Sequence, residues 1–358
     1  MRFLTIVAVL AGLATAVPTP AAETTTAKSC SAVCKNPRVR KEWRSLSISE
    51  RKQYLNAVVC MTKKPSKAPA NLTLGVVSRF DDFNAVHIMS SDGLVQGTGG
   101  VHMVGFFLAW HRLFTWSYET ALRDECGYTG AQPYWDWRID ADSGVPMAEW
   151  EIYNPSHGFG GNGDFVLEQN VTASWPYLAG QTGGGCVNDG PFKDTVMNVG
   201  PGSTLTHNPH CLRRGLNPDT IPWLTSARVA IAQAKADFLS YDAAVQGAQD
   251  MNPADGIQLF HGSGHYIHGG DSTDFISSST EPIFYLHHAF LDKLYWEWQM
   301  MNPTVRLSEI GGVRIPFHPD SGPVALTDIL DMKFAYKSGV EIKKVMNIRN
   351  GELCYTYQ

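Results

Sequence analysis

The stretch HMVGFFLAWHRLFTWSYETALRDE, residues 102–125, decides how the rest of the chain is read. From residue 103 to 125 it is long, aromatic and without Gly or Pro after Gly105, which predicts one long helix. His111 falls inside that helix, flanked by Phe107, Trp110 and Phe114. His102 stands nine residues earlier, which is about two and a half turns at about 3.6 residues per turn. On one continuous helix the two imidazoles would point in opposite directions. For both to reach one ion, His102 must precede the helix, and the run Gly97-Thr98-Gly99-Gly100 before it favours such a break.

Working outward, helical patterning is expected over residues 38–61, with Ser49 as cap, and over 74–89, 226–246, 257–267 and 283–301. Residues 158–217 are rich in Gly, Pro and Asn and predict long irregular loops. Beyond residue 313 short β-like and turn segments are expected. The fold class is therefore mainly α: a central four-helix bundle with long loops and a few short β segments, holding a site inside.

The site is suggested by histidines. Of 12 in the chain, eight fall in two groups: His87, His102 and His111, then His261, His265, His268, His287 and His288. His261 and His265 are four apart, so they share a helix face and can bind one ion. His287 and His288 are adjacent, about 100° apart on a helix, so only one can face a given ion. His268 is seven after His261, but Gly269-Gly270 predicts that the helix ends there, making it a wall residue. His157, His207, His210 and His318 lie in loop-like regions and receive no role. So many imidazoles in one apolar core would be costly without a ligand. Imidazole-only sites suit copper, zinc, iron or nickel, and three neutral histidines per metal leave a position open. Two triads on facing helices describe a dinuclear centre.

Composition sets the context. With 358 residues, 44% hydrophobic, the chain can bury a sizeable core. A net charge of -5 gives no footing for a polyanion, so a nucleic-acid partner is not expected. Arg2, the apolar run 3–13 and Ala14-Thr15-Ala16 predict a signal peptide over 1–16, cleaved near Ala16. The run is shorter than the ~20 residues a bilayer span needs, so a secreted, extracellular protein with no membrane segment is expected. Residues 17–37 form a lead-in and 38–358 one catalytic domain. Seven cysteines allow up to three disulfides with one left over. Cys30 and Cys34 have no second close pair, which argues against a cysteine zinc site. Asn71 and Asn170 begin glycosylation sequons.

The two signatures, HMVGFFLAWHR at 102–112 and EPIFYLHHAFLD at 281–292, with HGSGH at 261–265 and PYWDW at 133–137, resemble the tyrosinase and catechol oxidase family of type-3 dicopper proteins. The resemblance runs over about residues 40–357. It implies two copper ions, copper A held by His87, His102 and His111 and copper B by His261, His265 and His288. His288 is preferred to His287 by register, since Phe284 stands four before it as Phe107 stands four before His111. His287 then corresponds to Trp110 and is expected to pack beside the ligands. Arg112 and Asp292 match charged positions that the family places near the ligands, and both are expected to help orient the imidazoles.

Departures from the family pattern refine the expectation. Gly100 stands where some members carry a cysteine linked to the second copper A histidine, so no thioether is expected; Glu281 replaces the usual aspartate before Pro282. Members that hydroxylate monophenols often carry Asn after the first copper B histidine; here Gly262 has no side chain to hold a water. Tyr266 follows His265, and Phe275 stands where the family places a gate over copper B. The Tyr355-x-Tyr357 pair resembles the motif closing the catalytic domain, and no shielding domain is expected after it. The implied activity is a copper-dependent polyphenol oxidase, turning small o-diphenols into o-quinones with O2 as co-substrate. Alternatives are a tyrosinase, an o-aminophenol or substituted-phenol oxidase and, more remotely, a haemocyanin-like O2 carrier. A zinc hydrolase is disfavoured because no carboxylate stands at ligand spacing.

Overall fold

Ser47 caps the first helix, α1 (Ile48–Met61): its hydroxyl accepts from the Glu50 amide and the Glu50 carboxylate accepts from the Ser47 amide. That reciprocal box displaces the expected cap at Ser49. Residues 38–40, expected to be helical, instead form a strand, Arg38–Arg40, parallel to the C-terminal strand Tyr355–Tyr357 in register Arg38↔Tyr355. The alternation of a three-residue strand is too brief to be told from helix by periodicity. The structure, a computed structural model, describes residues 34–72, 74–93, 99–166, 180–247, 259–336, 339–351 and 353–358. The expected signal peptide, Cys30 and Asn170 lie outside the described residues.

A second capping box, Ser78 with Asp81, starts α2 (Arg79–Ser91). Helix α3 (Phe107–Cys126) ends at Gly127, whose φ of 65° is the left-handed conformation that glycine adopts most readily. Short α4 (Trp137–Ala141) follows. The single helix expected over 226–246 is two, α5 (Ser226–Gln233) and α6 (Phe238–Gln246), because Asp237 caps a new start by accepting from the Ser240 amide. Then come α7 (Phe260–Tyr266) and α8 (Phe284–Met301). Among the described residues the strands form five two-stranded pieces, most of them two to four residues long. The protein is mostly helical, with short strands at its edges.

The bundle is glued by aromatic rings. Tyr118 of α3 stacks on Tyr285 of α8 at 3.5 Å and 6°. Phe83 of α2 meets Tyr118 edge-on at 5.2 Å and Phe114 at 5.7 Å. Such pairs add about 0.5–1.5 kcal/mol beyond burial. Three disulfides close the frame: Cys34–Cys354, Cys60–Cys126 and Cys186–Cys211. Among the described residues no helix is long and apolar enough to cross a membrane.

Asp292 on α8 joins the paired strands Arg38–Arg40 and Tyr355–Tyr357 to the bundle. Its carboxylate accepts from Arg112 of α3, from the Tyr355 and Tyr357 hydroxyls, and from Arg40 at 3.4 Å. Arg112 also donates to the carbonyls of Val345 (3.0 Å) and Met346 (2.8 Å) and to Gln299 Oε1 (3.0 Å). Arg40 in turn pairs with buried Glu119 at 2.7 Å.

Candidate metal centre

The first triad is built from α2, a loop and α3. His87 lies in α2 and its Nδ1–H donates to the Ile276 carbonyl at 2.7 Å. His111 lies one turn into α3 and its Nδ1–H donates to the Phe107 carbonyl at 3.0 Å. A carbonyl can only accept, so both protons sit on Nδ1 and the Nε2 lone pairs are left for a metal. Both Nε2 atoms are buried with no hydrogen-bond partner among the described residues. His102 precedes α3, as geometry required, in an irregular turn where Met103 takes φ 55°. Gln246 of α6 clamps this turn, accepting from the Met103 amide at 2.8 Å and donating to the Val104 carbonyl at 3.1 Å. Ser91 Oγ lies 3.4 Å from His102 Nδ1. One ring nitrogen from each of the three histidines lies within 4.8 Å of the others.

In the second triad His261 and His265 share one face of α7, and α8 presents His288. His265 Nε2 is 3.2 Å from both His261 Nε2 and His288 Nε2. Metal–imidazole bonds of about 2.0–2.1 Å would span that separation at an N–metal–N angle of about 100°, close to tetrahedral. His287 also lies in this cluster. Its ring is spoken for: Trp137 Nε1–H donates to its Nδ1 at 3.3 Å, and its Nε2–H donates to the His261 carbonyl at 3.0 Å. No lone pair remains on it for a metal.

The triads face each other. His111 and His288 stack at 4.3 Å and 13°, and His102 and His261 at 6.0 Å and 18°. Phe107 and Phe284, the two residues matched by register, cross over to the opposite triad: Phe107 lies 4.6 Å from His261 and Phe284 5.1 Å from His87. The six rings are buried, and burial lowers His87 to about 4 and the other five well below the ordinary histidine value, with neighbouring imidazoles adding to the effect for those five. Six buried, neutral imidazoles, two of them with the Nε2 lone pair freed by an Nδ1–H hydrogen bond, are a donor set that fits two copper ions.

The remaining expected residues sort by geometry. Arg112 and Asp292, expected to orient imidazoles, bond to each other and to residues 40, 345, 346, 355 and 357; the first-triad rings are held by Ile276, Phe107 and Ser91. His268 is buried outside both triads, with Nδ1 2.9 Å from the Tyr153 hydroxyl. Phe275 is partly exposed with its ring 4.1 Å from His102. Gly262 is partly exposed on α7, while Tyr266 is buried with its hydroxyl unpartnered among the described residues. Asn71 is exposed. Sequence reasoning missed Ser91, Gln246, Trp137 and the Ile276 carbonyl. Only Trp137, inside the quoted PYWDW, carried any sequence signal.

A helical bundle enclosing two facing histidine triads defines a dinuclear metalloprotein. Residues 77–301 match the common central domain of tyrosinase, so the chain belongs to the tyrosinase family, whose members bind two copper ions through histidines. Tyrosinase ustQ of Aspergillus flavus is 33% identical over 330 residues, 90% of this chain and 80% of its own. N-acetyl-6-hydroxytryptophan oxidase ivoB of Emericella nidulans is 33% identical over 98% of both chains. A polyphenol oxidase of Thermothelomyces thermophila, solved as a glycine-to-asparagine variant, is 34% identical with a TM-score of 0.76, covering 90% of this chain and 89% of its own. A functional unit of octopus hemocyanin shares the fold at TM-score 0.51 and 18% identity, over 90% of this chain and 68% of its own.

Proposed function

We propose that the protein is a secreted catechol oxidase: one copper is held by His87, His102 and His111, the other by His261, His265 and His288, and o-diphenols become o-quinones. The copper pair, when bound, supplies O2 activation and takes up two electrons from each catechol, so that two catechols and one O2 give two o-quinones and two waters. The observation that carries this reading is the facing of two buried triads, with His111 stacked on His288 at 4.3 Å. The chain's own part is to keep six imidazoles neutral, aim their Nε2 atoms inward and exclude water with Phe107 and Phe284.

Gly262 supports catechol over monophenol as substrate. A phenol must lose its proton before hydroxylation, and a glycine there offers no group to hold a water that takes it. Phe275, partly exposed with its ring 4.1 Å from His102, would narrow the approach of a ring to the metals. Exposed Asn71, three disulfides and the apolar N-terminal run support secretion and glycosylation.

A second reading, a tyrosinase that also hydroxylates monophenols, is favoured by the ustQ relative, which is named a tyrosinase. The ivoB relative, an oxidase of a hydroxylated tryptophan, favours a substituted phenol as substrate. Oxygen uptake by the copper-loaded protein separates these. Uptake with a catechol and little with the matching monophenol is expected. Immediate uptake with both would establish the tyrosinase reading and remove the Gly262 argument, and no uptake with either would leave an O2 carrier in front.

A further inference from the structure

Helix α7 carries two ligands of the second triad yet is a weak helix by sequence, seven residues long with glycines at 262 and 264. Gly264 is helical and is not among the residues with positive φ, so its backbone does not call for glycine. Space does. A Cβ built on Gly264 would lie 2.0 Å from His287 Cε1, 2.4 Å from Nδ1 and 2.6 Å from Nε2. The imidazole of α8 therefore lies flat on the bare backbone of α7. That ring cannot swing aside, because Trp137 and the His261 carbonyl hold its two nitrogens at 3.3 Å and 3.0 Å. It is fully buried and parallel to the His261 ring, 6.0 Å away at 8°.

We propose that Gly264 and His287 form a seat that fixes α7 on α8, and that metal occupancy of the second triad depends on this seat while occupancy of the first does not. His287 is a positioning residue acting through the His261 carbonyl. The seat sets where α7 lies, and thereby where the Nε2 atoms of His261 and His265 stand relative to His288. The first triad draws on α2, the His102 turn and α3, which contribute no residue to the seat. The inference rests on the reading that His261, His265 and His288 hold copper.

The test is a double-mutant cycle on the full chain with Gly264→Ala, His287→Ala and both together, read as copper per chain and as urea unfolding of the metal-free protein. Wild type is expected to hold two copper ions and Gly264→Ala one, its second-site affinity falling by about 10–100-fold, the size of effect seen when groups that orient metal ligands are lost. In the His287→Ala background, where the ring is gone, adding Gly264→Ala should lower neither copper content nor the unfolding midpoint further. Should Gly264→Ala fold too poorly to purify, the comparison of His287→Ala with the double variant still decides. Two tightly held coppers in Gly264→Ala, or an equal loss from the alanine in both backgrounds, would overturn the seat. A wild-type chain that takes up no copper would sink the dicopper reading instead, and the metal-free cycle would still decide whether the seat exists.

Discussion

Replacing Asp292 by Ala removes a single carboxylate that satisfies four donors from three parts of the chain. Arg112 and Arg40 are both fully buried, and Tyr355 and Tyr357 donate to the same group. Breaking a buried ion pair by removing one partner costs about 3–5 kcal/mol, because the other charge is left behind. Arg112 keeps three other acceptors, at 3.0, 2.8 and 3.0 Å, and Arg40 keeps Glu119 at 2.7 Å, which pulls the charge cost to the lower end. Two hydroxyl donors lose their acceptor at about 1 kcal/mol each. The expected loss is therefore about 4–5 kcal/mol, measured by urea unfolding of the metal-free protein. Tyr357→Phe, which removes one hydroxyl only, should cost about 1 kcal/mol in the same assay. An Asp292→Ala loss of under about 1.5 kcal/mol would refute the idea that this carboxylate welds the paired strands at residues 38–40 and 355–357 to the bundle.

Gly262→Asn is expected to raise the ratio of monophenol to catechol turnover, checked by oxygen uptake on both substrates; an unchanged ratio removes Gly262 from the specificity argument. Phe275→Ala should raise kcat/KM for catechols with bulky substituents more than for catechol itself, since the ring lies 4.1 Å from His102 at a partly exposed position. The metal-free protein should lose stability as pH falls. Eight buried imidazoles are lowered by burial, His87 to about 4 and His287 to about 3, so they stay neutral when folded. In the unfolded chain they take up protons below about 6.5, so the unfolded state binds more protons and stability falls from about pH 6.5 downward, through the lowered folded values. The urea midpoint should be lower at pH 5 than at pH 7.5, and equal midpoints would contradict the buried neutral cluster.

Much of this was legible in the sequence. The long aromatic helix around His111 and the HisxxxHis spacing of 261 and 265 are local patterns, set by a 3.6-residue period, and local patterns survive without the fold. The placement of His102 before its helix followed from helix geometry once both His102 and His111 were taken to reach one ion. The register that aligned Phe284 with Phe107 also identified the two rings that cross to the opposite triads. What was not legible depends on distant residues. The Ile276 carbonyl that orients His87 belongs to the backbone, which sequence does not distinguish. Gln246 reaches the His102 turn from 143 residues away, and Trp137 reaches His287 from 150. Arg112 and Asp292 were expected to orient the ligands because they match charged positions the family places near them; Arg112, adjacent to His111, faces another way, and the Asp292 carboxylate, one turn from His288, is taken up by Arg112 and the hydroxyls of Tyr355 and Tyr357. The strand Arg38–Arg40 was missed because only its pairing with residues 355–357 makes it a strand.

The most direct test of the central claim is anomalous diffraction at the copper edge from crystals of the copper-loaded protein. Two peaks are expected, one bonded to Nε2 of His87, His102 and His111 and one to Nε2 of His261, His265 and His288, with His287 and His268 bonded to neither. A single peak, or a metal on the His287 ring, would contradict that claim.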